Sequence, residues 1–227
     1  MKVASLFSGG KDSTYAVYKA KNQGHDITCL ISISPVSEES HLLHYPNIDL
    51  TSLQAKTMNI PQLLSHASDV ESEKSQLHSL LEKAIKDFGI EGVVHGGLFS
   101  DYQRKHFEKL GNDLSLEVIS PLWHVDQKNY LKELLAHNFK FIIVSVSSAG
   151  LDDSWLGKEI TCNDISTLEK LSSKYGFNLT FEGGEAETFV IDCPLFKSPI
   201  KILRANKTWD GYRGRFEITE AVLENIC

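Results

Sequence analysis

A chain of 227 residues, 41% of them hydrophobic and 23% charged, holds enough apolar material for one large domain or a medium domain with a smaller companion, and is globular in composition. Its formal net charge of −7 disfavours a protein built to grip nucleic acid, which needs a basic excess. Cys29, Cys162, Cys193 and Cys227 lie far apart with no zinc-like spacing, so they read as reduced thiols of a cytoplasmic protein, not as a disulfide framework.

In chain order, residues 2–7 form a short apolar run suited to a buried strand; they are too few for a signal peptide or a membrane span, and no membrane association is expected. Residues 12–23 read as a helix covering Tyr15, Val17 and Tyr18, and residues 27–33 as a second strand. A polar loop over 34–47 leads to a short helix near 49–58. The clearest helix is 71–88, where Leu77, Leu80, Leu81, Ala84, Ile85 and Phe88 recur at three- and four-residue steps before Gly89. A strand at 92–97 ending in glycines, a helix at 101–110 and a strand at 116–119 complete the alternation, and Pro121-Leu122-Trp123 closes it. Beyond lie a helix near 127–138, a strong strand at 139–146, a helix at 163–175, an acid-rich turn at 182–188 running into an apolar strand, and two short strands within 200–217. Alternating elements predict an α/β fold with a parallel sheet. The alternation loosens near 122–126, which suggests domains of 1–122 and 123–227.

Ser8-Gly9-Gly10-Lys11-Asp12-Ser13 falls between the first strand and the first helix. Glycines let the backbone approach a ligand closely, and the helix behind them presents N–H groups and a positive dipole end to a phosphate. Lys11 adds charge, while Asp12, awkward in a pure anion site, suits Mg²⁺ beside phosphates. The pattern is not a Walker A loop: the first glycine is missing and Asp12, not Ser or Thr, follows Lys11. This segment resembles the pyrophosphate loop of the ATP pyrophosphatases, the adenine nucleotide alpha-hydrolase-like group, which implies cleavage of ATP between the alpha and beta phosphates.

Two further segments carry chemistry. Asp101-Tyr102-Gln103-Arg104, followed by Glu108, sits where a strand meets a helix, a ligand-binding position in open α/β sheets; Arg104 can hold a phosphate or carboxylate. Glu182-Gly183-Gly184-Glu185-Ala186-Glu187-Thr188 crowds three carboxylates, an arrangement that favours a magnesium ion, an ammonium ion or a cationic substrate group among them.

Together, residues 8–13, Tyr102-Gln103-Arg104, Pro121-Leu122-Trp123, Gly150-Leu151-Asp152 and residues 182–188, with Asp126-Gln127 and Leu156-Gly157, resemble the signatures of the diphthine–ammonia ligases from residue 1 to about 196. The resemblance implies a sheet of the adenine nucleotide alpha-hydrolase-like, Rossmann-like type with a smaller C-terminal α/β domain, and an active site in the cleft between them. It implies ATP- and Mg²⁺-dependent amidation of diphthine on translation elongation factor 2 by ammonia, through an acyl-adenylate. Ser8, Gly9, Gly10, Lys11, Asp12 and Ser13, with His44 and Gly97, would bind ATP, with Asp12 near the metal. Lys11, Asp12, Arg104, Glu185 and Glu187 would be catalytic, and Tyr102, Gln103, Glu182, Gly183, Gly184 and Thr188 would face the substrate. Carboxylates and aromatics suit the trimethylammonium group of diphthine. Relatives tend to carry an arginine two residues after the Tyr-Gln-Arg segment; here it is His106, whose charge fades near neutrality. By the resemblance, the chain is expected to correspond to the shorter archaeal-type members, which do without the extra C-terminal domains of longer relatives, and, with no glutaminase-like segment seen in it, free ammonia is the expected donor.

The lesser signals are His41 and His44, an ordinary polar loop more than a metal site; His95, either a core histidine or a pocket wall, with the wall favoured; Trp123, Trp155 and Trp209, read as packing more than cation-binding; and Cys193, read as a buried thiol. A homo-oligomer is left open. The alternatives are a tRNA-modifying ATP pyrophosphatase, against which the acidic balance and scattered cysteines count, and a non-catalytic nucleotide sensor.

Overall fold

The structure is a computed structural model that describes residues 1–34, 47–67, 69–99 and 101–224, without the side chains of residues 70, 71, 101–103 and 128. The chain divides into two compact units, Met1–His124 and Val125–Cys227.

In the first unit, strands β1 (Lys2–Leu6), β2 (Asp26–Ser34), β3 (Gln62–His66), β4 (Gly92–Val94) and β5 (Glu117–Ile119) form a parallel sheet in the order β3-β2-β1-β4-β5. Alternate residues Ala4 and Leu6, Cys29, Ile31 and Ile33, and Val93 face one side, against Leu77, Leu81 and Ala84 of helix α3 (Val70–Phe88) and Phe107 of α4 (Asp101–Leu114). The intervening Val3, Ser5 and Leu30 are fully buried too, and α1 (Lys11–Asn22) packs on β1, β2 and β4. Both faces are therefore covered, which explains why β2 reads as a continuous apolar run. Asp69 begins α3 with a capping box to Ser72. A short 3-10 turn, Ile48–Leu50, leads into α2 (Thr51–Met58). Strand β3 corrects the sequence reading, which had no strand there. Gln-Leu-Leu-Ser-His is short, mostly half-buried and at the sheet edge, so pairing with β2 rather than an apolar pattern makes it a strand.

The second unit is a four-stranded antiparallel sheet in the order β7-β6-β9-β8, from β6 (Lys140–Val146), β7 (Ala186–Asp192), β8 (Ile200–Trp209) and β9 (Gly214–Leu223). Helices α5 (Gln127–Ala136) and α6 (Cys162–Tyr175) pack on each other, supplying Leu131, Leu134, Ile165 and Leu168 to the unit's core. Residues 141–144 of β6 are consecutively buried, so this strand is covered on both faces. The C-terminal strands are longer than expected: each runs ten residues, and β9 reaches Leu223. Among the described residues no helix is long and apolar enough to cross a membrane.

Candidate active site

The loop after β1 sits where the strand order reverses, between β1 and β4, the ligand crevice of open α/β sheets. Gly9 turns the chain with φ +80°, and Gly10 precedes the first turn of α1, whose end no side chain caps. The loop closes on itself. The Ser8 N–H donates to Ser13 Oγ at 3.2 Å, the two serine hydroxyls lie 3.1 Å apart, and Thr14 Oγ1 donates to the Gly10 carbonyl at 2.8 Å. Lys11 is only 2% exposed, with Nζ 2.9 Å from the partly exposed Asp12 carboxylate. A cation and a carboxylate thus share the end of a helix dipole, a donor set that fits a magnesium phosphate: phosphate on the amides and lysine, metal on the one carboxylate.

Sequence reasoning missed what holds this loop in place. Gln54 of α2, fully buried, donates from Nε2 to the Gly9 carbonyl at 2.9 Å. Gln62 of β3 donates to Thr51 Oγ1 at 2.7 Å and to Ser32 Oγ at 2.8 Å, and Ser32 donates to the Phe7 carbonyl at 2.6 Å. Carbonyls on both sides of Ser8 are therefore tied into a buried polar network, high in stakes because each lost partner leaves a buried group bare. No sequence signal marked Gln54 or Gln62, which stand among polar neighbours in α2 and half-buried ones in β3.

On the other side of the loop stands β4. Gly96 follows it so closely behind α1 that a Cβ there would lie 2.8 Å from backbone atoms of Asp12 and Ser13. His95 is 2% exposed. Its Nδ1 accepts the Gly97 N–H at 3.1 Å and its Nε2 lies 2.6 Å from Ser120 Oγ, which assigns the ring proton to Nε2. Burial pushes its pKa down to about 4. His95 is thus a neutral, buried pillar joining the β4 and β5 loops, the core-histidine arrangement that the sequence left open beside a pocket wall, and the Gly97 N–H is engaged with it.

Ser120 opens the Pro121-Leu122-Trp123 stretch: Leu122 is fully buried, and the N–H of His124 bonds the Leu98 carbonyl at 3.1 Å. The Arg104 guanidinium lies 5.0 Å from the Trp123 ring centroid and 3.2 Å from Glu108. Trp123 stacks on His124, and His124 on Phe99. Trp123 therefore carries a cation as well as packing. So does Trp155, under the Lys158 ammonium at 4.7 Å, whereas Trp209 packs its ring over Gly214 while staying partly open to solvent. The side chains of Asp101, Tyr102 and Gln103, together with His41, His44 and Ser100, lie outside the described residues. Burial, then Lys74 and Lys109, pushes the His106 pKa down, so no second permanent positive charge stands there.

The acidic turn belongs to the second unit. Phe181 and Gly184 take positive φ, and Ser147 pins the turn through its hydroxyl to the Gly184 carbonyl at 2.6 Å and its N–H to the Glu185 carbonyl at 2.9 Å. Glu185 Oε1 accepts the Asn178 N–H at 2.8 Å, while Oε2 is buried with no hydrogen-bond partner among the described residues. A buried carboxylate oxygen without a donor favours a cation or donor brought by a ligand. Glu182 and Glu187 are half-buried and Gly183 and Gly184 exposed. Thr188, 3% exposed, follows Glu187 on β7, so strand pleating points the two to opposite faces. Among the described residues no three His, Cys, Asp or Glu gather as a metal site. Other signature residues serve the fold: Asp126 begins α5 by accepting the Asn129 N–H, and Asp152 accepts the Ser154 N–H ahead of a 3-10 turn.

The diphthamide synthase N-terminal domain model matches residues 1–118 and the C-terminal domain model residues 126–223. The chain is similar to the diphthine–ammonia ligase of Mus musculus, with 36% identity over 89% of this chain and 83% of that one. It is similar to the same enzyme of Homo sapiens, with 33% identity over 88% and 82%. Among solved structures, a predicted subunit of tRNA methyltransferase from Methanocaldococcus jannaschii aligns at TM-score 0.45 and 17% identity, over 86% of this chain and 98% of that one, too distant to bear on function. With a glycine loop at the switch point of the first unit, an acid-rich turn in the second and both domain models matched in order, the chain belongs to the diphthamide synthase family.

Proposed function

We infer that this chain is a diphthine–ammonia ligase, which uses ATP to amidate diphthine on translation elongation factor 2. The observation that carries the reading is the match to diphthine–ammonia ligases over nearly nine-tenths of the chain, together with family domain models whose matched residues span both the glycine loop and the acidic turn.

In this reading Ser8, Gly9, Gly10, Lys11 and Ser13 bind the pyrophosphate portion of ATP. Asp12 is the protein ligand for Mg²⁺, which would neutralise phosphate charge. A diphthine carboxylate oxygen bonds to the alpha phosphorus as the alpha–beta P–O bond breaks and pyrophosphate leaves. Ammonia then bonds to the acyl carbon as the C–O bond to AMP breaks. Arg104, held against Trp123, offsets negative charge on the adenylate, with Tyr102 and Gln103 beside it in sequence. Glu185 and Glu187 hold ammonium and take up the protons it sheds as it becomes ammonia and then amide; the buried Glu185 Oε2 supports this assignment. Glu182, Gly183, Gly184 and Thr188 shape the turn. His44 and Gly97 remain candidates for the nucleotide pocket, Gly97 through its carbonyl or Cα since its N–H is engaged. In this reading the acceptor belongs to the translation machinery, and the chain works in the cytoplasm.

The test is incubation with ATP, Mg²⁺, ammonium and diphthine-bearing factor, scored by intact mass and nucleotide product. A loss of about one mass unit (hydroxyl exchanged for amine) with one AMP per factor is expected. ADP as product, or AMP with an unchanged factor, would overturn the reading.

A further inference from the structure

We propose that Gln54 is a positioning residue for ATP: by gripping the Gly9 carbonyl it aims the Gly10 N–H at the pyrophosphate portion of the nucleotide. The proposal rests on the ATP-dependent ligase reading and adds to it a residue of α2, outside the glycine loop. A trans peptide is planar, with its C=O and N–H pointing in opposite directions, and no peptide bond among the described residues is cis. Whatever grips a carbonyl therefore fixes where the next residue's N–H points. The Phe7–Ser8 peptide behaves this way. Ser32 Oγ holds the Phe7 carbonyl at 2.6 Å, and the Ser8 N–H, on the far side of that peptide, reaches Ser13 Oγ at 3.2 Å. The Ser8 N–H is thus engaged within the loop.

In the Gly9–Gly10 peptide, Gln54 Nε2 holds the carbonyl at 2.9 Å, which turns the Gly10 N–H away from α2. That N–H donates to no group among the described residues, and it stands at the start of α1, whose end no side chain caps. An open amide at a helix N-terminus is a donor for an anion. Gln54 is suited to the task because it is fixed. It is fully buried, only its NH2 end can pair with a carbonyl, and its Oε1 stands 2.2 Å from where a Gly9 Cβ would be. Thr51, on the same face of α2 three residues earlier, donates to the Ile48 carbonyl and accepts from Gln62 at 2.7 Å. Gln62 in turn holds Ser32, so the Phe7 and Gly9 carbonyls are gripped from neighbouring points. Donation into the Gly9 carbonyl also polarises that peptide, which makes the Gly10 N–H a stronger donor. Without the grip, a peptide between two glycines rotates freely, and binding must then bear the cost of ordering it.

The experiment measures binding of magnesium pyrophosphate to the full chain by titration calorimetry, with the ATP dependence of amidation of diphthine-bearing factor read in parallel. Gln54→Met keeps the side-chain length and removes the donor. It is expected to weaken pyrophosphate binding about tenfold or more, the scale of one lost charge-assisted hydrogen bond. The KM for ATP should rise by a similar factor while kcat at saturating ATP changes less than about threefold. Gln76→Met, which cuts a glutamine's donation to the His66 carbonyl elsewhere in the same unit, should bind pyrophosphate as wild type does. A folded Gln54→Met with affinity within twofold of wild type overturns the proposal, and so does an unchanged KM with a lower kcat, the mark of a smaller active fraction. If Gln54→Met fails to fold, the wild type decides. With isotopically labelled glycine, the Gly10 amide resonance should move on adding magnesium pyrophosphate, and a Gly10 amide that stays put while pyrophosphate binds overturns the proposal. A wild type that binds pyrophosphate with Gln54-dependent affinity yet fails to amidate the factor upholds the positioning role and overturns the ligase. A wild type that binds neither pyrophosphate nor ATP overturns both.

Discussion

Replacing Gly9 by alanine tests whether the phosphate loop is held in shape from behind. Two penalties add. Gly9 sits at φ +80°, where an L residue is disfavoured by roughly 1–2 kcal/mol. The new Cβ would also stand 2.2 Å from Gln54 Oε1 and 2.9 Å from Thr51 Cγ2. A glutamine end usually swings away, but Gln54 and Thr51 are fully buried, so relief requires repacking at roughly 1–3 kcal/mol. The total, roughly 2–5 kcal/mol, is a large share of the roughly 5–15 kcal/mol typical of a folded domain. Urea unfolding of the full chain measures it, and a double-mutant cycle apportions it. In a Gln54→Ala background the clash with Oε1 is gone while the φ penalty and the Thr51 contact persist. Gly9→Ala should therefore cost about 1–2 kcal/mol less there than in wild type. Additivity within about 0.5 kcal/mol would refute the reasoning, because the steric share would then not run through Gln54.

Because burial holds neutral His95 down to about 4 in the fold against 6.5 unfolded, the unfolded chain binds the extra proton between those values; stability is full above pH 6.5, falls as pH drops toward 4, and the loss reaches on the order of 3 kcal/mol. The acid limb of the unfolding curve should flatten in His95→Gln, and an equally steep limb would show that another group sets it. Exchanging Glu185 or Glu187 for Gln keeps shape and removes charge, so kcat for amidation should drop roughly 10²–10⁴-fold; full amidation by both variants would remove them from the chemistry. Burial pushes the Cys29 thiol up to about 11 and Cys193 up to about 12, whereas Cys162 is exposed. Alkylation of the native protein at pH 8 should thus label Cys162 first among these three, and early labelling of Cys193 would contradict its burial.

The amino-acid sequence by itself determined the segments whose physics is local. Strand, glycine turn and helix follow one another within residues 2–22, so the loop's backbone needs and its helix end could be read without knowing what lay nearby. The same holds for α3, whose apolar stripe and Gly89 stop are consecutive in the chain, and for the crowding of acids at 182–188. Only the tertiary structure decided matters that depend on residues distant in sequence. Gln54 and Gln62 look like surface residues until α2 and β3 are laid against the β1 loop, because hydrogen bonds to Gly9 and Ser32 span 45 and 30 residues. β3 has no apolar alternation of its own and exists because β2 offers it an edge. His95 became a neutral pillar only when Ser120, 25 residues on, closed over its ring. Burial, partner and register are properties of pairs brought together by folding, and no single stretch of chain carries them.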